Sequence, residues 1–224
     1  ANLIDSYTIT VEDKETELIE ILQQLEKDLF NKKIPTFDRA DLKVFNFNKH
    51  LYNPMMYTNK GMTSLQIKPV ELNDGEKDFV EDLDSYLKRN TLKYENTEIY
   101  LLRNQSKTGL GFFTEGNFYP DFIMWIKKDE KQYISFIDPK GIRNFNPEND
   151  AKINLAITIK NIESKLGDTD TVLNSFILSN SSLNTLNELH TNLTYEFFED
   201  KNVLFQKDDK NGYIGTMFTK ILNL

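Results

Sequence analysis

The sequence predicts a mixed α/β domain: a central mixed sheet with helices on its faces, preceded by a helical extension. Three observations predict it. Residues 122–126 and 133–137 are apolar runs rich in aromatic and β-branched side chains, separated by the charged, turn-prone segment 127–131, the pattern of two strands joined by a tight connection. Residues 75–88 and 151–166 carry apolar side chains at helical spacing. Together with strand patterns at 98–104 and 171–178, these give the order α-β-β-β-α-β from residue 73 onward, which folds as a sheet covered by helices.

Taken in order, residues 11–33 read as a helix with Leu18, Ile21, Leu22, Leu25 and Leu29 on one stripe, Thr10 as its cap and Pro35 as its stop. Leu42, Val44, Phe45 and Phe47 suggest a short strand, residues 51–57 a buried extended turn, and 59–61 a loop tip. The organisation expected is an N-terminal helical or linker extension over 1–68 and a second domain over 69–224. Asn73 is placed to cap the helix over 75–88, whose stripe is Phe79, Val80, Leu83 and Leu87. Glu76 shares that stripe. It reads either as a first-turn acid favouring the helix dipole or as a carboxylate turned toward the core side.

After the strand at 98–104 comes a glycine-punctuated connection, 106–117, and then the central hairpin. An Asn-rich loop over 142–150 leads into the helix at 151–166, with Leu155, Ile159, Ile162 and Leu166 as its stripe and Gly167 ending it. A strand over 171–178, a short helix over 182–193, a strand over 202–206, a turn over 207–211 and a helix over 213–224 complete the chain. There is no internal repeat.

Composition excludes several chemistries. The chain has 224 residues, no cysteine and only two histidines, His50 and His190. Disulfides, Cys-zinc sites and a thiol nucleophile are out, and a histidine triad or multi-His metal site is not expected. The net charge of −8 argues against a protein whose sole task is gripping nucleic acid, although a local basic groove remains compatible with it. No apolar run is long enough for a membrane span and no signal peptide opens the chain, so a cytoplasmic setting and no membrane partner are expected. The chain opens at Ala1 with no Met, as an excised piece of a longer protein would.

The chemistry is concentrated at the outer ends of the hairpin. Asp121 precedes the first run and Asp138 ends the second, with Lys140 two residues on. If the hairpin turns symmetrically about Asp129–Glu130, the two aspartates oppose one another with β-carbons about 5 Å apart, and Lys140 joins Asp138 on one face. Two adjacent carboxylates repel unless a cation sits between them. A hard divalent ion such as Mg²⁺ takes oxygen ligands and is often held by one or two carboxylates.

As a motif this is PD followed by DxK on paired apolar strands. It resembles the PD-(D/E)xK nuclease superfamily, whose restriction-endonuclease-like fold has an αβββαβ core. The likeness is closest to the C-terminal nuclease domain of type III restriction-enzyme Res subunits and related helicase–nucleases. It rests on HLYNPMMY at 50–57, PVELNDGEKDFVEDL at 69–83, YLLRN at 100–104, FYPDFIMWI at 118–126, ISFIDPKGI at 134–142, SFILS at 175–179 and VLFQKDD at 203–209.

The resemblance implies Mg²⁺-dependent hydrolysis of DNA phosphodiesters, with Mn²⁺ able to substitute. Asp121 and Asp138 are then metal ligands, the Pro139 carbonyl an additional one, and Lys140 a catalytic cation at the scissile phosphate. Glu76 matches the acidic residue of the first core helix, completing the metal shell or orienting the water. Lys152 and Arg143 are candidates for phosphate contacts. The implied partners are double-stranded DNA, a helicase or ATPase module in the parent chain, and a methyltransferase or specificity subunit. No GxxxxGK[ST] occurs, so no nucleotide site is expected within the chain. The rival expectation keeps the fold without catalysis, as a module for docking or DNA positioning.

Overall fold

The structure is a computed structural model. It describes residues 8–31, 37–39, 42–45, 55–59, 64–68, 71–104, 111–112, 118–190 and 192–224. The chain divides into two compact units, Asn2–Lys77 and Asp78–Leu224. The division falls inside a helix, whereas the sequence placed a boundary at 68/69.

The N-terminal unit holds β1 (Thr8–Val11), α1 (Thr16–Phe30), β2 (Phe37–Arg39), β3 (Leu42–Phe45), β4 (Met55–Thr58) and β5 (Leu65–Lys68). β1 pairs with β5, and β2, β3 and β4 form an antiparallel sheet. This differs from the expected helical extension. Val11 and Thr10 belong to a strand rather than to the helix start, and α1 begins at Thr16. Leu18, Leu22 and Leu25 of α1 pack on Leu42, Val44, Met56, Leu65 and Ile67, so the periodicity was sound and only the ends were misplaced. The expected turn at 51–57 lies within the described residues only from Met55, which begins β4. Of the expected loop tip at 59–61, only Asn59 is described.

α2 (Asp74–Arg89) crosses the division between the units. It begins with a reciprocal capping box: the Glu76 N–H donates to Asn73 Oδ1 at 3.0 Å, and the Asn73 N–H donates to Glu76 Oε2 at 3.1 Å. The C-terminal unit continues with a 3₁₀ turn at Thr91–Tyr94. Then come β6 (Thr97–Arg103), β7 (Phe122–Lys128), β8 (Lys131–Lys140), α3 (Ala151–Leu166), β9 (Thr171–Ser179), α4 (Leu183–Asn187), α5 (Tyr195–Glu199), β10 (Val203–Phe205) and α6 (Tyr213–Leu222). The short helix expected over 182–193 is thus α4 alone, and α5 follows it as a separate turn of helix.

The five strands form one sheet in the order β10-β9-β8-β7-β6. β6, β7 and β8 are antiparallel; β8, β9 and β10 are parallel. α3 supplies the right length of chain for the crossover that a parallel β8–β9 pair requires. Its Leu155 and Ile159 pack on Leu173, Ile134 and Phe136. On the other face of the sheet, Phe79 of α2 meets Phe122 at 5.1 Å between ring centroids. Tyr86 of α2 meets Phe218 of α6 at 5.3 Å. Helices therefore cover both faces, which accounts for the near-continuous apolar runs of β7 and β9.

β10 pairs only with Ile177–Ser179, so part of β9 is an open edge. α3 closes it with side chains. Leu173 N–H donates to Glu163 Oε2 at 2.6 Å, and Lys160 Nζ donates to the Leu173 carbonyl at 2.6 Å. Covering an unpaired strand edge in this way removes a template for mispairing. Among the described residues, no helix is long and apolar enough to cross a membrane.

Candidate metal and phosphate site

The register of the central hairpin builds the site. β7 and β8 turn through Asp129, whose φ is 55°, and Glu130, with Lys128 opposite Lys131 and Phe122 opposite Ile137. Continued one step past the paired residues, this register sets Asp121, which precedes β7, against Asp138. A symmetric turn about 129–130 is therefore what forms. The face of β8 that carries Ile134 and Phe136 against α3 also carries Asp138 and Lys140, because side chains alternate along a strand.

Asn104 fixes the Pro120–Asp121 step. Its backbone N–H donates to the Asp121 carbonyl at 2.7 Å and its side-chain amide donates to the Pro120 carbonyl at 2.8 Å. Pro139 lies inside β8, buried and paired with Leu178. β7 no longer flanks β8 there, which is where a proline costs an interior strand least.

Asp138 is 2% exposed. Its Oδ2 touches Lys140 Nζ as an ion pair, but the approach is not directed as a hydrogen bond and this buried oxygen has no hydrogen-bond partner. Burial pushes the Asp121 carboxyl above its ordinary value, against the opposing charges of Lys140, Arg103 and Lys152. The Lys140 ammonium is pushed down to about 8, by burial first and then by the like charge of Lys152; Asp121 and Asp150 pull the other way. Desolvation disfavours each charge, and the attraction between Asp121 and Lys140 opposes it.

The carboxylates suit a hard cation. They come from adjacent strands at opposed positions, and one buried oxygen lacks a directed donor. Among the described residues no group of three or more His, Asp or Glu could hold a metal by itself. An ion here would have two carboxylates, with waters and substrate oxygens completing its shell, a common arrangement for Mg²⁺.

The structure brings Asp121, Asp138, Lys140 and Lys152 together. Lys152 stands in the first turn of α3, which Asp150 caps by accepting from the Lys152 and Ile153 N–H groups at 2.8 and 3.4 Å. Arg143 is set apart: it is exposed, 4.0 Å from Glu188. Glu76 is buried, with its carboxylate engaged in the capping box.

Sequence reasoning missed Arg103, Asn104, Asp150 and the rings of Phe118 and Phe145. Asp150 had a signal, an acid just ahead of a helix. Arg103, Asn104 and Phe118 lie in the segments YLLRN and FYPDFIMWI, but their part in the site, like that of Phe145, depends on tertiary contacts. Scans against protein-family models, curated proteins and solved structures return no match.

Proposed function

We propose that this chain is a Mg²⁺-dependent DNA endonuclease domain with a restriction-endonuclease-like core, part of a restriction or phage-defence helicase–nuclease of the type III Res kind. The observation that carries this is the opposed Asp121–Asp138 pair with Lys140 beside it, at the C-terminal end of β8. Ligand sites of α/β sheets lie at the carboxyl ends of strands. The order α-β-β-β-α-β and the motif PD…DxK support the same reading.

Asp121 and Asp138 would hold the metal, which when bound supplies Lewis-acid charge neutralisation and a water of lowered pKa. Lys140 places fixed positive charge where the phosphorane becomes most negative. The burial that lowers its pKa also strengthens its field, because little water screens it. Asn104 holds the backbone of Asp121, which limits the positions its carboxylate can reach. Asp150 holds the first turn of α3 beside the site. Double-stranded DNA is the substrate proposed; a helicase or ATPase module and a methyltransferase or specificity subunit are the partners.

Asp121→Ala and Lys140→Ala should each abolish divalent-dependent nicking of supercoiled plasmid while far-UV circular dichroism and Tm stay near wild type. Wild-type cleavage by either folded variant would remove the assignment. A second reading, a non-catalytic module for docking or DNA positioning, is favoured by the Asp138–Lys140 contact, in which the carboxylate already has a cation. Isothermal titration separates the two: no uptake of Mg²⁺ or Mn²⁺, with DNA present, selects the inactive module.

A further inference from the structure

A cavity of about 330 Å³ opens between α5, β10 and the start of α6, and it shares no residue with the aspartate–lysine site. Its floor is apolar: Val203 and Phe205 of β10 and the ring of Tyr213 are all buried. One wall is the half-exposed Tyr195, whose ring meets that of Phe205 edge-on at 5.2 Å between centroids. The rim is acidic, formed by Glu199, Asp208 and Asp209. Among the described residues none of these carboxylates has an ion pair. Lys220 reaches the region only at a backbone atom, donating to the Glu199 carbonyl at 2.9 Å. The negative field is felt at Tyr195: burial first, then the bond to Asp208 and the charges of Asp208 and Asp209, raise its hydroxyl above the ordinary value.

Both aspartates are held in place. Asp208 Oδ2 accepts from the Leu183 N–H at 2.8 Å and from the Tyr195 hydroxyl at 3.1 Å, so both donors use one oxygen. Asp209 Oδ1 accepts from the Gly212 N–H at 3.0 Å. A Cβ at position 212 would stand 2.5 Å from Asp209 Oδ2, so the glycine makes the room that lets this carboxylate lie against the start of α6. Each aspartate keeps one oxygen, Asp208 Oδ1 and Asp209 Oδ2, with no donor among the described residues. Fixed carboxylates with spare acceptors, set at the mouth of an aromatic cavity, fit an organic cation.

A guanidinium suits this arrangement better than an ammonium. It is planar, stacks on aromatic faces and presents its donors in a fork that two carboxylates can share. A negative rim repels phosphate, so nucleic acid is not the occupant. The rim residues are exposed, whereas a site for a free small molecule encloses most of its ligand. The opening therefore admits the end of a long side chain from a polypeptide lying across it. We infer that this cavity takes an arginine side chain of a protein partner. Its guanidinium is shared between Asp208 and Asp209, with Glu199 beside them, and its stem lies against Tyr195 and the apolar floor. Nothing in this depends on the nuclease reading.

The test is titration of the ¹⁵N-labelled full chain with a blocked pentapeptide, one arginine flanked by two glycines on each side, followed by amide chemical shifts. Shifts should concentrate at Tyr195, Asp208, Gly212 and Thr216, with a millimolar Kd. Citrulline in place of the arginine keeps the shape and loses the charge, and should leave the spectrum unmoved. A lysine peptide should bind several-fold more weakly. Asp209→Asn keeps an acceptor for the Gly212 N–H and should weaken binding roughly tenfold, the loss expected for one charge-assisted hydrogen bond. Glu199→Gln should weaken it a few-fold. The Glu199 carboxylate has no donor among the described residues, so this variant tests the rim with the fold intact.

The n-butylguanidinium ion carries the same head and stem without a backbone, and so identifies the source. Peptide binding at least as tight as that of the free ion supports a polypeptide occupant; tighter binding of the free ion overturns it. A lysine peptide that binds as well as the arginine peptide overturns the choice of a guanidinium. Absence of shifts at the cavity, equal binding of the citrulline peptide, or an unchanged Kd in both Asp209→Asn and Glu199→Gln overturns the site itself.

Discussion

At Lys140, burial opposes the charge that the proposed chemistry needs. The folded state releases this proton near pH 8, the unfolded chain near 10.5. Between those values the unfolded state binds more protons, so stability rises with pH across that window, and below about 8 the cost of the buried charge is fully present. A group kept at a cost to stability is what a functional site contains. Glu76 poses the opposite question, because its carboxylate has a structural task that accounts for its position. Glu76→Gln keeps an acceptor for the Asn73 N–H and should leave Tm nearly unchanged, whereas Glu76→Ala should cost about 1 kcal/mol through the lost cap. If Glu76 also serves the metal, Glu76→Gln loses cleavage at full stability. Cleavage that tracks stability across both variants would confine Glu76 to the cap.

The central hairpin was legible at the scale of the element because its information is local. Two apolar runs flank a charged turn, and the symmetry of Asp121 and Asp138 about Asp129–Glu130 sets the register that forms. Helix stripes were legible for the same reason. β1 was not: it pairs with β5 across more than fifty residues of chain, and its alternating Thr-Ile-Thr-Val is too short to oppose the helical pattern beside it. The placing of Lys140 and Lys152 over the rings of Phe118 and Phe145 was illegible because it exists only after the sheet and α3 have formed.

Asn104 marks the limit between the two. It lies within the recognisable segment YLLRN, yet its hold on Pro120 and Asp121 depends on β6 lying beside β7. Asn104→Ala removes the side-chain bond and should lower divalent-dependent cleavage about tenfold or more, with Tm reduced by only a few degrees. Unchanged cleavage would show that the backbone bond alone positions Asp121.

The edge of β9 gives a test of pH dependence. Burial raises the Glu163 carboxyl, but the hydrogen bonds from Lys160 and the Leu173 N–H outweigh it, and the net shift is below the ordinary 4.5. The folded state therefore holds this proton less readily than the unfolded state. The stabilisation is complete above about 4.5 and is lost as pH falls through the folded value. Glu163→Ala should lower stability by about 1–2 kcal/mol at pH 7, since Leu173 N–H loses its acceptor. The deficit should shrink as pH falls below 4.5 in urea titrations. A deficit that is constant with pH would mean that the charge of Glu163 contributes nothing and only its volume matters.

For the whole molecule, the decisive quantity is linkage between metal and folding. A net charge of −8 gives the chain little general attraction for DNA, so the proposed function would depend on charge concentrated in the C-terminal unit. There Asp121, Asp138 and Asp150 face three cations, Lys140, Lys152 and Arg103. A ligand that binds only the folded state stabilises it by about 2.7 kcal/mol at a hundred times its Kd, which for a domain of this size is a rise in Tm of about 5–10 °C. Saturating Mg²⁺ should produce such a rise and EDTA should reverse it. Asp138→Asn should remove it and should also lower the metal-free Tm, because it leaves the buried Lys140 ammonium without its ion-pair partner. The division of the chain at Lys77/Asp78 sharpens the test: with two transitions in a thermal scan, only the one belonging to the C-terminal unit should move. A Tm indifferent to Mg²⁺, Mn²⁺ and EDTA in wild type would leave Asp121 and Asp138 as repelling neighbours held apart by Lys140 and its companions, the electrostatics of a docking surface rather than of an enzyme.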